Sequence, residues 1–422
     1  MRHYGGIGMS SNQVGYASRM FVWGDNNNYI ACFNPKITDE SETKIPIEEG
    51  CLSYPGLFVK IYRPDRISVE FEDELKGFLS NDLVLLVNTA TSAEHLAIHL
   101  LKKPFETYYN NEHHKWPGIQ DGDEVLSPPL SCTATNFPTL ANNLKIKWVD
   151  IDPTTLNMDL DDLARKVTPK TKVIMVVHWA GYPVDLDKLR KIQEHAKKMY
   201  GFKPAVIEDC AHAFGATYKR KKLGNHGNIC TYSFGAIKHL TSIEGGLLVL
   251  PHLALYRRAK LLRWYGIDRE SNRQDFRCET DIPEWGFKFN ISDVNSAVGI
   301  ENLKHMKQIL ATYRDNAKYY DKELKGVDGV TLLNYKKDRQ ASYWIYSMLV
   351  ERKDDFMRCM KDWGIVTSQV HERNDIHSCV SEFRSQLPVL DKVIPKTVSI
   401  PVGWWVTEED REYIVNCIKK GW

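Results

Sequence analysis

The chain has 422 residues, 43% hydrophobic and 26% charged, enough for two or three domains with complete cores. With 56 Lys and Arg against 54 Asp and Glu, the net charge of +2 leaves no broad basic field for nucleic acid and no acidic tail. No stretch approaches the roughly 20 apolar residues of a membrane span. The opening Met1-Arg-His-Tyr-Gly-Gly lacks the apolar core of a secretory signal. Nine cysteines with no C-x-x-C pair read as reduced thiols. These features point to a cytoplasmic protein with neither a nucleic-acid nor a membrane partner.

Residues 1–73 read as a strand-rich unit. Short apolar runs at Met20–Trp23 and Tyr29–Phe33 are separated by the turn residues Gly24-Asp-Asn-Asn-Asn28. Gly6-Ile-Gly8-Met-Ser-Ser-Asn-Gln13 and Glu49-Gly-Cys51-Leu-Ser53 resemble two motifs of peptide deformylase, a metal-dependent hydrolase. The resemblance implies that Cys51 stands at a metal-ligand position. It also implies that Gln13 and the Leu52 amide stand where an oxyanion is stabilised. The family's third motif, His-Glu-x-x-His, supplies two further ligands and the general base. The nearest match, His95-Leu-Ala-Ile-His99, carries Leu96 in place of the glutamate. The segment is therefore expected to be a truncated fragment holding no metal. Residual metal-dependent deformylation is the rival reading.

From Phe71 the pattern changes. A helical stretch, Phe71–Leu79, precedes a strand ending at Val87. Apolar runs then follow at Glu124–Leu126, Ile146–Val149, Val173–Val177, Ala205–Ile207, Ile229–Tyr232 and Leu247–Leu250. Amphipathic segments such as Asp185–Met199 lie between them. Alternating strand and helix predicts a mostly parallel sheet covered on both faces, with ligands bound beyond the strands' carboxyl ends.

The informative residues fall at those ends. Asn88-Thr-Ala90-Thr91-Ser-Ala opens a helix, whose free N–H groups and positive dipole end suit a phosphate. An ordinary N-cap would use the same residues. Asp209, in Glu208-Asp209-Cys-Ala-His212, closes a buried strand and needs a cationic or donor partner. A pyridinium nitrogen would serve, and so would Lys, Arg or a helix cap. Lys238 lies in a loop between the run ending at Ser233 and Gly245-Gly246. A lysine enclosed there loses its proton readily and can form a Schiff base with an aldehyde cofactor. A solvated surface lysine is the bland alternative.

Three motifs together resemble the DegT-type sugar-nucleotide aminotransferases, fold-type-I enzymes that use pyridoxal 5'-phosphate. They are Asn88-Thr-Ala-Thr-Ser-Ala93, Glu208-Asp-Cys-Ala-His-Ala-Phe-Gly-Ala216 and Ser233-Phe-x-x-x-Lys238-x-Leu-Thr-x-x-Glu244-Gly-Gly246. The resemblance implies that Lys238 carries the cofactor and that Asp209 binds its pyridine nitrogen. It places His212 near the phenolic oxygen, and Ala90, Thr91 and Ser233 at the phosphate. Cys132 stands where the family usually stacks an aromatic ring. Ala90 replaces a common glycine in the phosphate turn. Dehydratase relatives carry His in place of the lysine, so Lys238, with His239 beside it, favours transamination.

Residues 251–422 are expected to form a smaller α/β domain, with a helix at Leu253–Trp264 and one long helix from Asp293 to Tyr320. Trp285-Gly-Phe-Lys288-Phe-Asn290 resembles a family loop that reaches the neighbouring subunit's phosphate through Asn290 or Lys288. The same loop reads equally as a helix cap. Trp404-Trp405 fits core or interface. The domains are expected at 1–73, 74–250 and 251–422. The whole implies a homodimeric aminotransferase that takes an amino acid donor and a nucleotide-linked keto sugar. A catalytically impaired scaffold is the alternative.

Overall fold

In the computed structural model, the described residues are 67–109, 112–269 and 281–422, together with five strands nearer the N-terminus. Side chains are described from Val69 onward, apart from 107–114 and 270–280. Two compact units divide at Ile67/Ser68.

In the first unit, strands Gly8–Ser10, Met20–Gly24 and Tyr29–Phe33 form an antiparallel meander. Strands Lys44–Cys51 and Tyr54–Pro64 form a separate hairpin. Gly6, Gln13, Leu52 and Ser53 lie outside the described residues, as does the Cys51 side chain.

The second unit is built on a seven-stranded sheet. In chain order its strands are β1 Val84–Val87, β2 Glu124–Ser127, β3 Lys145–Trp148, β4 Thr171–Val177, β5 Ala205–Asp209, β6 Ile229–Ser233 and β7 Gly246–Val249. Their spatial order is β3-β2-β4-β5-β6-β7-β1. Only β7 runs antiparallel, to both β6 and β1. Burial on both faces explains why strands such as Val84-Leu-Leu-Val87 read as unbroken apolar runs.

Helices cover both faces. They are α1 Ile67–Leu79, α2 Ala90–Leu101, α3 Thr133–Ala141, α4 Leu160–Lys166, α5 Leu186–Tyr200 and α6 Leu253–Leu262. One core joins Phe71 and Leu75 of α1 to Leu186 and Leu189 of α5 and to Leu86 and Val176 of the sheet. The opposite core packs Ala93, Leu96, Ala97 and Leu100 of α2 and Leu255 and Leu262 of α6 against Leu85, Ile207 and Leu248. Asp185 caps α5 by accepting from Lys188 N at 3.0 Å, and Gly201 ends it with φ +82°.

α7 Asp293–Leu303 packs on the large domain and leads into the smaller C-terminal lobe, which holds α8 Met306–Glu323, α9 Lys353–Asp362, α10 Pro388–Val393 and α11 Glu408–Lys419. They surround an antiparallel sheet of Val330–Leu332, Tyr346–Val350 and Thr397–Ile400. The single long helix expected from Asp293 is instead two helices, broken at Lys304–His305. There His305 N donates to Asn302 O at 3.1 Å, a tighter turn than the α-helical spacing. Two packing surfaces account for the break. On α7, a Cβ at Gly299 would overlap the Phe71 ring, and Asn302 Nδ2 donates to Thr241 O at 2.8 Å. On α8, Tyr313, Ala317 and Tyr320 belong to the C-terminal core. Among the described residues, no helix is long and apolar enough to cross a membrane.

Candidate active site

The site lies past the carboxyl ends of β5 and β6, where α2, the start of α3 and the C-terminal lobe converge. Asp209 closes β5 and is buried, with 5% of its surface exposed. Its Oδ2 accepts from Thr135 Oγ1 of α3 at 2.7 Å, and its Oδ1 accepts from Ala211 N at 2.9 Å. Neither donor is cationic, so this buried carboxylate keeps room for a charged partner.

Lys238 sits in the loop between β6 and β7, its N–H donating to Gly235 O at 3.0 Å. Its Nζ lies 3.7 Å from the centre of the Trp344 ring. Burial lowers the amine's pKa from 10.5 to about 8, while the charge of Asp209 partly restores it. The Trp344 ring walls one side of this partly buried amine.

The phosphate-side residues are gathered by strand register. Ser233 pairs with Gly246, and Gly246 pairs with Val87, one residue before the turn that opens α2. A Cβ on Gly246 would lie 2.6 Å from Ala90 N and closer still to the Thr89 carbonyl. Glycine is required there because two backbones touch. Thr89 caps α2, its Oγ1 accepting from Ser92 N at 3.0 Å. The amides of Ala90 and Thr91 stay at the helix's open end, where Thr91 is exposed. Ser233 Oγ accepts from Gly235 N at 3.3 Å.

His212 is buried, and its ring stacks on Trp344 with centroids 4.0 Å apart. Burial, and then Lys238, hold its pKa well below the usual histidine range. Nδ1 of His212 is a buried atom without a hydrogen-bond partner. Cys132 is the N-cap residue of α3 and is exposed, with no side-chain capping bond. Asn290 lies in the loop before α7. Its Nδ2 donates to Ile291 O at 3.1 Å, and its Oδ1 is buried without a partner. The adjacent Phe289 carbonyl accepts from Asn88 N at 2.7 Å, which docks this loop beside the phosphate turn of its own chain.

Four residues of the site were assigned no role from the sequence. Thr135 holds Asp209, and Glu94, on α2, lies against it. Trp344 and His371 come from the C-terminal lobe. Trp344 Nε1 donates to Ile237 O at 2.7 Å, clamping the lysine loop. His371 faces His212 with ring centroids 5.5 Å apart, and burial, and then Lys238, lower its pKa to about 4. The segment holding His371 docks beside Cys132. Asn374 Nδ2 donates to Ser131 O at 2.8 Å, and Asn136 Nδ2 donates to Asn374 Oδ1 at 2.9 Å. A lone Trp or His more than a hundred residues from the lysine leaves no local pattern to read. Thr135 did carry one, in the Ala134-Thr135 pair.

Among the described residues, one trio has metal-ligand spacing, the buried His178, Glu208 and Cys210. His178 Nδ1 already accepts from Val184 N at 3.0 Å, and Nε2 faces Glu208 Oε2 at 2.8 Å. Both ring nitrogens are therefore engaged within the protein, and the trio is a structural one. His95 and His99 both pack edge-on against Phe287, and Leu96 is fully buried.

The site residues fit a phosphorylated pyridine aldehyde. An amine of lowered basicity, a buried carboxylate with only neutral donors and an open helix N-terminus are gathered by the strand ends and loops described above. The unpartnered Nδ1 of His212 adds a polar atom for the ring's oxygen.

Comparison with known proteins agrees. Residues 62–419 match the DegT/DnrJ/EryC1/StrS aminotransferase family, and residues 1–81 match polypeptide deformylase. The sugar aminotransferase CalS13 from Micromonospora echinospora is 46% identical, with a TM-score of 0.79, over 85% of this chain and 92% of its own. AtS13 from Actinomadura melliaura is 47% identical, with a TM-score of 0.79, over 85% of this chain and 91% of its own. An uncharacterised protein, MJ1066, of Methanocaldococcus jannaschii is 27% identical over 84% of this chain and 89% of its own.

Proposed function

The chain belongs to the DegT/DnrJ/EryC1/StrS aminotransferase family of pyridoxal-phosphate-dependent enzymes, and from that premise we propose that it aminates a keto sugar linked to a nucleotide. Glutamate is the proposed amino donor, by family analogy, and the product enters deoxysugar or polysaccharide synthesis. The observation that carries the reading is the Lys238 amine held under the Trp344 ring within electrostatic reach of the buried Asp209 carboxylate. The sugar aminotransferases CalS13 and AtS13, at 46% and 47% identity, support a sugar acceptor.

When bound, pyridoxal phosphate supplies an electron sink conjugated to the amino-acid carbon. Asp209 would hold the protonated ring nitrogen by an ion pair, with Thr135 and the Ala211 amide fixing the carboxylate's orientation. The Ala90 and Thr91 amides at the start of α2, with Ser233, would bind the phosphate. His212 would face the phenolic oxygen, and Cys132 the ring. Lys238 would hold the cofactor and, once free, carry the proton between the donor carbon and the solvent-shielded cleft as general acid and base. Its pKa of about 8 leaves both protonation states populated near neutral pH. Trp344 keeps water from the amine. Asn290 is proposed to complete the phosphate site of a second copy in a homodimer.

The test is a single turnover. Purified protein is loaded with pyridoxal phosphate and mixed with glutamate, and the visible cofactor absorbance is followed until it disappears. A panel of nucleotide-linked keto sugars is then added, and absorbance returns only with an accepted sugar. Cofactor binding without any response to an amino acid would favour the scaffold reading, which the thiol at Cys132 in place of an aromatic ring keeps open.

A further inference from the structure

Glu94 is a deeply buried acid of α2 beside the site, with 1% of its surface exposed. It lies one turn along α2 from Thr91, on the face that packs against the sheet. Its carboxyl interacts with the Asp209 carboxyl and with the Thr231 hydroxyl of β6. Oε2 of Glu94 and Oγ1 of Thr231 are both buried atoms without a partner in hydrogen-bonding geometry. Two ionised carboxylates offer acceptors only, so a contact between them lacks a donor. A single proton completes it.

The proton's position follows from the neighbours. Asp209 already accepts from Thr135 Oγ1 and Ala211 N, which stabilise its anion. Glu94 has no cation in contact. Burial, and then the charge of Asp209, push its carboxyl well above the usual range. Among the described residues Lys238 is the cation facing the pair, and its amine interacts more weakly with Glu94 than with Asp209; His371, its pKa lowered to about 4, also faces Asp209.

We propose that Glu94 and Asp209 share one proton, with Glu94 as donor and Asp209 as the charged acceptor, and that this pair sets how tightly the cofactor's ring nitrogen holds its own proton. The inference rests on the functional reading above. Asp209 has about four lone-pair sites. Thr135, the Ala211 amide, Glu94 and the ring N–H would fill them. Each added donor makes the carboxylate less basic, so Glu94 weakens the pull of Asp209 on the ring proton. Glu94 is a positioning residue, acting on the cofactor only through Asp209.

The test uses Glu94→Gln, which keeps shape and a donor, and Glu94→Leu, which removes the donor. In the cofactor-free protein at pH 7, infrared spectra should show a protonated carboxyl stretch that both variants lose. In the loaded protein, ¹⁵N NMR of ring-labelled pyridoxal phosphate should place the ring nitrogen's titration about one pH unit higher in Glu94→Leu than in wild type, a tenfold gain in proton affinity. Glu94→Gln should titrate close to wild type. An infrared band unchanged by Glu94→Gln overturns the shared proton, as does an identical ring titration in all three proteins. Failure of wild-type protein to bind the cofactor refutes the functional reading instead. The infrared arm still decides the pair in that case.

Discussion

Lys238 Nζ stands 3.7 Å from the centre of the Trp344 ring, and Trp344 Nε1 donates to the carbonyl of Ile237, the residue before that lysine. One indole thus covers the amine and pins its loop. The enclosure of the amine comes partly from the C-terminal lobe and not from the lysine's own loop alone.

Its first consequence is a pH dependence. The neutral amine is the nucleophile, so the rate at which cofactor-free protein takes up pyridoxal phosphate should rise about tenfold per pH unit below 8 and level off above it. Trp344→Ala admits water, relieves the burial that lowers the pKa, and should move the midpoint toward 10.5. A stopped-flow pH profile identical in both proteins would show that Trp344 does not shield the amine.

Lys238→Ala should abolish the visible absorbance of lysine-linked cofactor and slow amino transfer by about 10³-fold or more, since both attachment and proton transfer are lost. Absorbance and single-turnover rates measured on the variant check this directly. Retention of both would move the chemistry to another residue.

Thr135→Val removes the 2.7 Å donor to Asp209 while keeping side-chain shape. A hydrogen bond to a charged group is worth about 1.5–3 kcal/mol. Cofactor affinity, read by fluorescence titration, should therefore fall by about tenfold or more, and Thr135→Ser should restore most of it.

Gly246→Ala forces a Cβ against the Thr89 carbonyl and the Ala90 amide. Overpacking of this kind costs about 1–3 kcal/mol. The variant should melt several degrees lower and bind free phosphate and cofactor more weakly. A variant with wild-type thermal stability would mean that the β7–α2 approach is looser than described.

The purified chain should carry no stoichiometric zinc or iron and should not hydrolyse formyl peptides. Leu96 is apolar where that chemistry needs a base, and His95 and His99 pack on Phe287. Metal analysis with a formyl-peptide assay decides this. A bound metal lost on Cys51→Ala would revive the hydrolase reading.

What could be read without coordinates was local. Lys238, Asp209 and the Asn88–Ala93 turn each sit at a strand's end, and strand ends are marked by apolar runs that stop. The alternating pattern was enough for a mostly parallel sheet, because two-sided burial makes each strand apolar throughout. The helix break at His305 was not legible. Both halves keep helical periodicity, and only Phe71 and Thr241 on one side and the C-terminal core on the other distinguish them. The enclosure of Lys238 was equally hidden. Its pKa depends on burial beside Trp344, His212 and His371, which lie far apart in the chain. Glu94 shows the same division: along α2 it is an acid on a helix, and across the fold it lies against Asp209. Residue order determines which groups can form a strand end or a cap, since those depend on neighbours a few positions away. Which distant groups exclude water from an amine, or leave two carboxyls with one proton, is decided only when packing brings them together.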